Sequence, residues 1–315
     1  METAVSYGKL LQPKSKLKFW AKLKDHRWLY LMLAPAVLLQ VVFAYLPMSK
    51  MLIAFRNVDE FHLPYGTEWV GFQNFYFLSD PYFWETLRNT VVIAGLKLLI
   101  CFPAPILLAL LLNEVRHHRF KKVVQTISYL PHFISWVIIA NIIDRLLNTN
   151  VGLVNGIITA LGGKAIHFTG STKWFLPIVV ISNLWKEVGF SSIVYLAAMT
   201  QISPELYEAA EVDGAGRFAQ LKHVTLPGIY PIISMMLVLS IPSLINAGFD
   251  QIYLLHNPLN QPVSEILDIY ILKTGLSYGD FAKAAAMGIC NSIVSLILII
   301  IANKGSARLG GSTIW

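Results

Sequence analysis

The residues best able to do chemistry in this sequence stand inside a long apolar block. Asn183, Lys186 and Glu187 lie in the block that runs from about 174 to 199. An ionisable group at the centre of a bilayer costs at least about 2.5 kcal/mol unless it is paired or hydrated, so these residues line a polar cavity or pair with a neighbouring helix. Lys186 and Glu187 are adjacent and face different sides of a helix, so they do not share one role. We favour a structural ion pair for Glu187, and for Lys186 both interpretations stay open.

Other polar residues in or near apolar blocks indicate less. We expect Lys97 to snorkel towards an interface along its aliphatic stem. His117 and His118 stand in a short basic loop, which is more typical of solvated surface than of a metal site or a pH switch. Cys101 and Cys290 lie far apart in apolar blocks, which predicts small buried hydrophobes and neither a disulfide nor a metal site.

Motifs of metalloprotease catalysis and of phosphate binding are absent from the sequence. It contains no H-E-x-x-H and no G-x-x-x-x-G-K-[ST] phosphate loop. We therefore expect a chain that is not an enzyme, has no catalytic residues and no bound metal, and does not bind ATP as a P-loop protein does. The net charge of +7 does not indicate nucleic-acid binding, because the basic residues cluster beside apolar blocks, as membrane topology requires.

The elements that must position these residues are membrane-spanning helices. Of the 315 residues, 55% are hydrophobic and only 14% charged, whereas a soluble domain has roughly 25% charged residues. The apolar blocks are each near the ~20 residues that cross a bilayer. They predict six spans at about 29–48, 90–112, 123–143, 174–199, 228–247 and 284–302. The sequence therefore predicts an all-α membrane domain over 29–303, with the first span kept as an anchor rather than cleaved as a signal peptide.

The placement of Lys and Arg predicts the orientation. Basic residues are concentrated in the tail 1–28 and in the connection after the second span, which holds Arg116, Arg119, Lys121 and Lys122. The positive-inside rule puts both segments in the cytoplasm, and with six crossings the tail 304–315 lies there too. The aromatic-rich stretch 49–89 then lies outside, where it either packs on a partner or lies along the membrane surface.

The connection between the fourth and fifth spans, residues 202–227, has clear local signals. Ser203 is a favourable N-cap and Pro204 suits the first position of a helix. Gly214 and Gly216 supply the turn that ends this helix. The connection therefore predicts a short helix exposed at the membrane face.

A second short helix is expected directly after this turn. It runs from Arg217 to Val224, and we expect Pro227 and Pro231 to redirect the chain into the fifth span. The product would be a compact helix-turn-helix at the membrane face, suited to contact with another protein.

The 202–227 segment resembles the EAA loop of binding-protein-dependent ABC importer permeases. The residues that carry the resemblance are Glu208, Ala209, Ala210, Asp213, Gly214, Ala215, Leu226 and Pro227. In that family the loop forms a coupling helix that docks into a cleft of the ATP-binding subunit. The resemblance therefore implies a type I ABC importer permease fold, with six transmembrane helices and a cytoplasmic coupling helix that transmits motion.

Further motifs look like the carbohydrate branch of that family. They are Leu33-Ala34-Pro35, Gly71-Phe72-x-Asn74-Phe75, Trp84-x-x-x-Arg88-Asn89-Thr90, Tyr129-Leu130-Pro131, Trp185-Lys186-Glu187-x-Gly189 and Tyr195-Leu196-Ala197-Ala198. This similarity implies an oligosaccharide or polysaccharide substrate, either acidic, such as alginate or pectin fragments, or neutral. The candidate residues of the translocation path are Asn183, Trp185, Lys186 and Glu187.

The resemblance also implies obligate partners and a place in the cell. These are a second homologous permease, two copies of an ABC ATPase subunit that hold ATP and Mg, an extracytoplasmic solute-binding protein and the lipid of a bacterial inner membrane. No cofactor is expected on this chain itself. The leading alternative is a secondary transporter driven by an ion gradient, but the inverted repeats frequent in that class are not detectable. A membrane-embedded enzyme is a weaker alternative, because no convergent set of polar residues is evident.

Overall fold

The described part of the chain is helical. The computed structural model describes residues 26–58 and 66–308, and in these ranges the only β contact is an isolated bridge between Arg56 and Trp69. The predicted all-α class is confirmed. Most of the predicted basic tail, residues 1–25, lies outside the described residues, as do 59–65 and 309–315.

Fourteen α-helices carry the description that follows. They are α1 (Arg27–Gln40), α2 (Pro81–Leu96), α3 (Pro103–Glu114), α4 (His118–Tyr129), α5 (Trp136–Leu147), α6 (Leu153–Ala160), α7 (Thr172–Met199), α8 (Pro204–Val212), α9 (Arg217–Gln220), α10 (Leu226–Ile245), α11 (Phe249–Leu255), α12 (Gln261–Ser264), α13 (Leu267–Leu272) and α14 (Phe281–Arg308). Short 3-10 and π turns join several of them into longer rods.

Several of these rods are long and apolar enough to cross a membrane. Among the described residues four qualify, over Arg27–Phe55, Pro81–Glu114, Arg217–Ile241 and Phe281–Gly305. A fifth arises if the pair His118–Phe133 and Trp136–Leu147, bent by 100°, counts as one span. The 28-residue α7, which carries Asn183, Lys186 and Glu187, is not among them.

Helix α2 begins nine residues before the expected start of the second span. Pro81 occupies its first turn, and the Asp80 carboxylate accepts a hydrogen bond of 3.0 Å from the backbone N–H of Tyr82. An aspartate cap followed by proline is a strong local start signal. Hydropathy alone did not reveal this start, because the first turns of α2 are polar.

The aromatic-rich stretch before α2 packs on itself and, through Ala54 and Phe77, on α13 and α14. Phe55 stacks on Trp69 at 5.4 Å and meets Phe75 at 5.5 Å. The side-chain amide of Asn74 donates to the carbonyls of Ala54 and Arg56 at 3.0 and 2.9 Å. The motif Gly71-Phe72-x-Asn74-Phe75 is therefore explained by local packing and by backbone carbonyls that need a donor.

A π turn precedes a proline in three of the long rods. The turns are Val41–Tyr45, Lys97–Cys101 and Leu221–Thr225, which come before Pro47, Pro103 and Pro227. Proline has no N–H, and its ring clashes with the carbonyl four residues earlier in a regular α-helix. In each of the three rods that carbonyl lies in the π turn, which is wider than an α turn. The rods therefore continue through their prolines.

This continuity corrects one sequence-based expectation. The chain is not redirected at Pro227 and Pro231, because a single helical rod runs from Arg217 through the π turn to Ile245. The predicted separate helix over 217–224 is the first part of that rod. Only α8 stands apart from it, across the turn at Gly214.

Two interruptions do break the helices near the centre of the fold. The rod of α4 turns by 100° into α5 between Phe133 and Trp136. After α10, Ala247 and Gly248 both have positive φ angles, of 49° and 76°, and α11 follows in a new direction. Ala247 is strained in this region, because its Cβ meets the following carbonyl. Both breaks leave backbone carbonyls without helical partners.

Helices α4 and α7 approach each other closely at one glycine. A Cβ placed on Gly189 would collide with the carbonyl group of Ser128. By contrast, a Cβ on Gly95 of α2 would meet nothing within 4 Å. The glycine in the Trp185-Lys186-Glu187-x-Gly189 motif is thus required by backbone-to-backbone packing.

The segment between α11 and α14 is held by a buried polar network. The Lys273 ammonium lies 2.9 Å from a Glu265 carboxylate oxygen and 3.0 Å from His256 Nε2. His256 Nδ1 lies 2.7 Å from Ser264 Oγ, which itself donates to Asn260 at 2.6 Å. Because lysine can only donate, Nε2 accepts and Nδ1–H donates to Ser264. His256 is therefore neutral in this arrangement.

Substituting Gly189 by alanine is expected to destabilise the protein. Overpacking against a rigid backbone carbonyl costs roughly 1–3 kcal/mol, so the thermal unfolding temperature in detergent should fall by several degrees. Gly95→Ala is the matched control, because it adds the same methyl group to open space and improves helix propensity. An unfolding temperature of Gly189→Ala equal to that of the wild type would contradict the close packing.

Acid is expected to weaken the network around His256. Burial and the Lys273 cation lower the pKa of His256, while the Glu265 carboxylate opposes the shift. The unfolded chain then binds a proton near pH 6.5 and the folded chain only at lower pH, so the free energy of unfolding decreases as the pH falls through this window. His256→Gln removes this titration, so its unfolding temperature should fall less between pH 7.5 and 5.5. Exposed His118→Gln should keep the wild-type slope.

Candidate functional site

A polar cavity lies where the two helix breaks meet α2, α3 and α7. Its volume is about 390 Å³, and it is lined by Lys97, Cys101, Phe102, Trp136, Asn183, Glu187, Ser191, Ser240, Gly248 and Gln251. A second cavity of about 540 Å³ shares Trp136 and includes His132, Lys186, Asp250 and Tyr253. Of the four predicted path residues, Asn183 and Glu187 therefore share the first cavity, and Lys186 lines the second.

Trp185 points away from both cavities. It is 48% exposed and lines an apolar groove of about 360 Å³ formed by α5, α6 and α7. The separation follows from helical geometry, because neighbouring positions on α7 are about 100° apart. The four candidate residues thus divide between two faces of one helix.

Lys186 is buried at the first helix break. Its ammonium donates to the carbonyls of His132 and Ile134 at 2.6 and 2.7 Å, and only 6% of the residue is exposed. It also lies 5.6 Å from the centre of the Trp136 ring. These carbonyls belong to the bend between α4 and α5, so Lys186 supplies the donors that the broken helix lacks.

Glu187 contacts a residue of the first helix break. Its carboxylate lies 2.8 Å from His132 Nδ1 and 3.9 Å from the Lys186 ammonium. The His132 ring stacks on Phe190 with 3.9 Å between ring centres. Sequence analysis assigns no role to His132, because a lone histidine in an apolar run has no local pattern that identifies its partner.

Lys97 does not snorkel, which corrects the sequence-based expectation. It is 6% exposed, and its ammonium donates to the Ala247 carbonyl and to Gln251 Oε1, each at 2.7 Å. The Gln251 amide in turn donates to the Val179 carbonyl and to Ser182 Oγ, each at 2.8 Å. Lys97 therefore ties α2 to the second helix break and, through Gln251, to α7.

The arrangement offers hydrogen bonding to a solute. The first cavity is lined by the Asn183 amide, the Glu187 carboxylate and the Trp136 indole, which suit a solute with many hydroxyl groups. The polar groups of Lys97 and Gln251 are buried in its wall and bonded to each other and to neighbouring helices. Among residues 26–58 and 66–308, no group of three or more His, Cys, Asp or Glu side chains is placed to hold a metal ion.

The 202–227 segment forms a short exposed helix, α8, with a defined end. Ser203 holds the N-cap position, although its side chain makes no capping bond. At the other end, Gly214 has φ of 76°, the Ala215 N–H donates to Ala210, and the Gly214 N–H donates to Glu211. This pair of bonds is a Schellman motif, which satisfies the last carbonyls of the helix.

Helix α8 is attached to the base of α10. Tyr207 Oη lies 3.0 Å from Thr225 Oγ1. A Cβ on Gly228 would lie 2.6 Å from Ile202 Cδ1, so the residues before α8 also pack on the start of α10. The opposite surface is open, with Val212 88% exposed.

The residues that carry the EAA resemblance are mostly on that open surface. Glu208, Ala209, Asp213, Gly214 and Pro227 are exposed, and Ala210, Ala215 and Leu226 are partly buried. Leu226 and Pro227 are the first residues of α10, and the other six belong to α8 and its turn. An exposed helix with a rigid end and an apolar tip is a surface suited to protein contact.

Known proteins resemble this chain over most of its length. Residues 102–309 match the family described as binding-protein-dependent transport system inner membrane component. The polygalacturonan/rhamnogalacturonan transport system permease protein YteP of Bacillus subtilis (strain 168) is 42% identical over 97% of this chain and 96% of that protein. Protein LplB of the same strain is 43% identical over 91% of each chain.

A solved structure has the same fold. A chain of a bacterial ABC transporter involved in the import of the acidic polysaccharide alginate superposes with a TM-score of 0.86 and 39% identity, over 92% of this chain and 99% of that one. With the match over residues 102–309, these similarities show that the chain belongs to the binding-protein-dependent transport system inner membrane components, the permeases of ABC importers.

Proposed function

We propose that the chain forms half of the pathway through which an ATP-driven importer takes up a uronate-containing oligosaccharide or polysaccharide. The observation that carries this proposal is the 42% identity, over 97% of the chain, to a permease named for polygalacturonan and rhamnogalacturonan. The likeness to a permease of an importer of acidic alginate supports the same substrate class. The cavity, rich in groups that bind hydroxyls, is compatible with it.

The proposed topology has six spans, with both termini in the cytoplasm of a bacterium and the chain in its inner membrane. The four rods and the bent pair supply five crossings. The 28-residue α7 supplies the sixth, because its two central ionisable residues have polar partners in the bend between α4 and α5. The basic connection at 116–122 favours the cytoplasmic side.

In this proposal α8 couples transport to ATP hydrolysis on other subunits. The open surface of α8 docks on one of two ABC ATPase subunits, which hold ATP and Mg, while this chain binds no cofactor itself. A second homologous permease completes the pathway, and a solute-binding protein delivers the sugar from outside. One neighbouring solved structure is an alginate transporter in complex with a periplasmic protein that carries an alginate pentasaccharide.

The cavity between the two helix breaks is the proposed sugar path. ATP-driven closure of the ATPase subunits draws the coupling helices together and turns this cavity from inward-facing to outward-facing. Asn183 and Glu187 line the cavity and are assigned to contact sugar hydroxyls. Lys186 is assigned to hold the bend beside the path, because both hydrogen bonds of its ammonium are to backbone carbonyls.

Distorting the turn after α8 is expected to uncouple transport from ATP hydrolysis. Gly214 has φ of 76°, a region that costs an L-residue roughly 1–2 kcal/mol. Gly214→Val should therefore displace α8, lower substrate-stimulated ATPase activity at least tenfold and reduce co-purification of the ATPase subunit. Glu208→Lys should act similarly through its charge. Gly216→Ala is the control, since its added Cβ meets nothing within 4 Å, and an unaffected Gly214→Val complex would contradict the coupling role.

The substrate class is tested by uptake. Proteoliposomes that contain the complex purified with this chain, together with the binding protein, should accumulate oligogalacturonate in the presence of ATP. Neutral arabino-oligosaccharides of equal length should be taken up at least tenfold more slowly. Equal uptake of both sugars would overturn the uronate assignment, and uptake without ATP would overturn the importer mechanism.

A matched pair of asparagine variants tests the path. Asn183→Leu removes a polar group from the cavity, and a lost hydrogen bond of about 1–1.5 kcal/mol raises the KM for uptake roughly tenfold. Asn141→Leu replaces an exposed asparagine of α5 whose amide bonds only within its own helix. It should leave uptake unchanged, and equal effects of the two variants would contradict the assigned path.

A further inference from the structure

Helix α4 carries an apolar stripe on its open face. Phe120, Val123, Ile127 and Leu130 are spaced three or four residues apart along α4 and its 3-10 extension, so they lie on one side. Each is between 54% and 67% exposed. We refer to these four residues as the α4 stripe.

The stripe points away from the other described residues. The opposite side of α4 packs on α7, where the carbonyl of Ser128 lies against Gly189. The environment of the stripe is therefore not supplied by residues 26–58 or 66–308. In a helix that forms part of a membrane span, that environment is lipid or another protein.

Basic side chains stand at the entry end of the stripe. Arg116, Arg119 and Lys122 are exposed, and Lys121 is partly buried. No Asp or Glu occurs between residues 115 and 129. Glu114 stands just before this run, and its carboxylate lies 3.9 Å from the guanidinium of Arg217, so it already has a cation beside it. Arg116, Arg119 and Lys122 therefore form a basic surface beside the apolar stripe.

We propose that this surface binds an anionic phospholipid. Arg116, Arg119 and Lys122 hold the headgroup phosphate, and the α4 stripe packs along one acyl chain. The cations lie before α4 and in its first turns, whereas the stripe continues to the other end of the helix. A phospholipid presents its charged headgroup and its apolar chain in the same order. An acidic protein partner would bind the three cations and would leave the apolar stripe exposed. The assignment to the cytoplasmic leaflet rests on the orientation proposed above.

Lipid selectivity at the stripe can be measured in the assembled transporter. A fluorophore is placed on Ile127→Cys in a chain with Cys101→Ala and Cys290→Ala, and the complex is reconstituted in nanodiscs. Quenching by brominated phosphatidylglycerol is compared with quenching by brominated phosphatidylcholine. Each cation near the membrane surface strengthens binding of an anionic lipid about fivefold. Three cations therefore predict a preference on the order of 100-fold for the anionic lipid over the zwitterionic one.

Charge variants decide between lipid binding and general membrane contact. Arg116→Gln/Lys122→Gln should reduce the preference to about fivefold. The control Lys164→Gln/Lys173→Gln removes two exposed charges elsewhere and should leave the preference unchanged. Equal quenching by both lipids would overturn the headgroup site, and quenching by neither would show that protein covers the stripe and overturn the proposal.

The orientation is tested separately with His117→Cys. A membrane-impermeant thiol reagent should label this residue only from the cytoplasmic side. Labelling from the outer side would overturn the proposed topology and the leaflet assigned to the lipid. Cytoplasmic labelling without lipid selectivity would overturn the lipid site alone and leave the importer proposal intact.

Discussion

The fold depends on satisfying backbone carbonyls where helices break inside an apolar environment. A carbonyl without a donor costs several kcal/mol in hydrocarbon, so a broken span persists only if other groups supply hydrogen bonds. Two buried lysines meet this need. Lys186 donates to His132 and Ile134 at the bend before α5, and Lys97 donates to Ala247 at the bend before α11. Each ammonium is attracted to carbonyl dipoles that a helix would otherwise have used internally.

The same two breaks create the polar cavity. An unbroken helix would present only its side chains to its neighbours. A bend directs the chain away from the neighbouring helices and so leaves a space between them. Trp136 begins the helix after the first bend, and Gly248 belongs to the second; both line the cavity. Gln251 joins the second bend to α7 by its bonds to Lys97, Val179 and Ser182. The second bend, Lys97 and this side of α7 are therefore parts of one hydrogen-bonded network in the cavity wall.

The sequence predicted what local signals encode and missed what distant partners decide. Pro204 and Gly214 mark the start and the end of α8 within one short stretch of chain, so that helix is predictable from sequence. The apolar blocks likewise predict most of the long rods. The partner of Lys97 lies 150 residues away, and nothing near Lys97 distinguishes a helix cap from a snorkelling side chain. Pro227 predicts a break because proline interrupts a regular α-helix, but the π turn before it removes the clash.

The continuity of α9 and α10 suggests how motion at α8 could reach the cavity. The rod from Arg217 to Ile245 spans roughly 43 Å at 1.5 Å per residue. At its lower end it is joined to α8 by the contact of Tyr207 with Thr225 and by the packing of Ile202 on Gly228. At its upper end the chain turns at Ala247, which is held by Lys97 in the cavity wall. Because a helix resists bending over this length, a displacement of α8 would tilt the rod and act at the break that forms the cavity wall. A flexible connection at Pro227 would have absorbed the displacement, so the absence of a break there is what makes transmission through α10 physically possible.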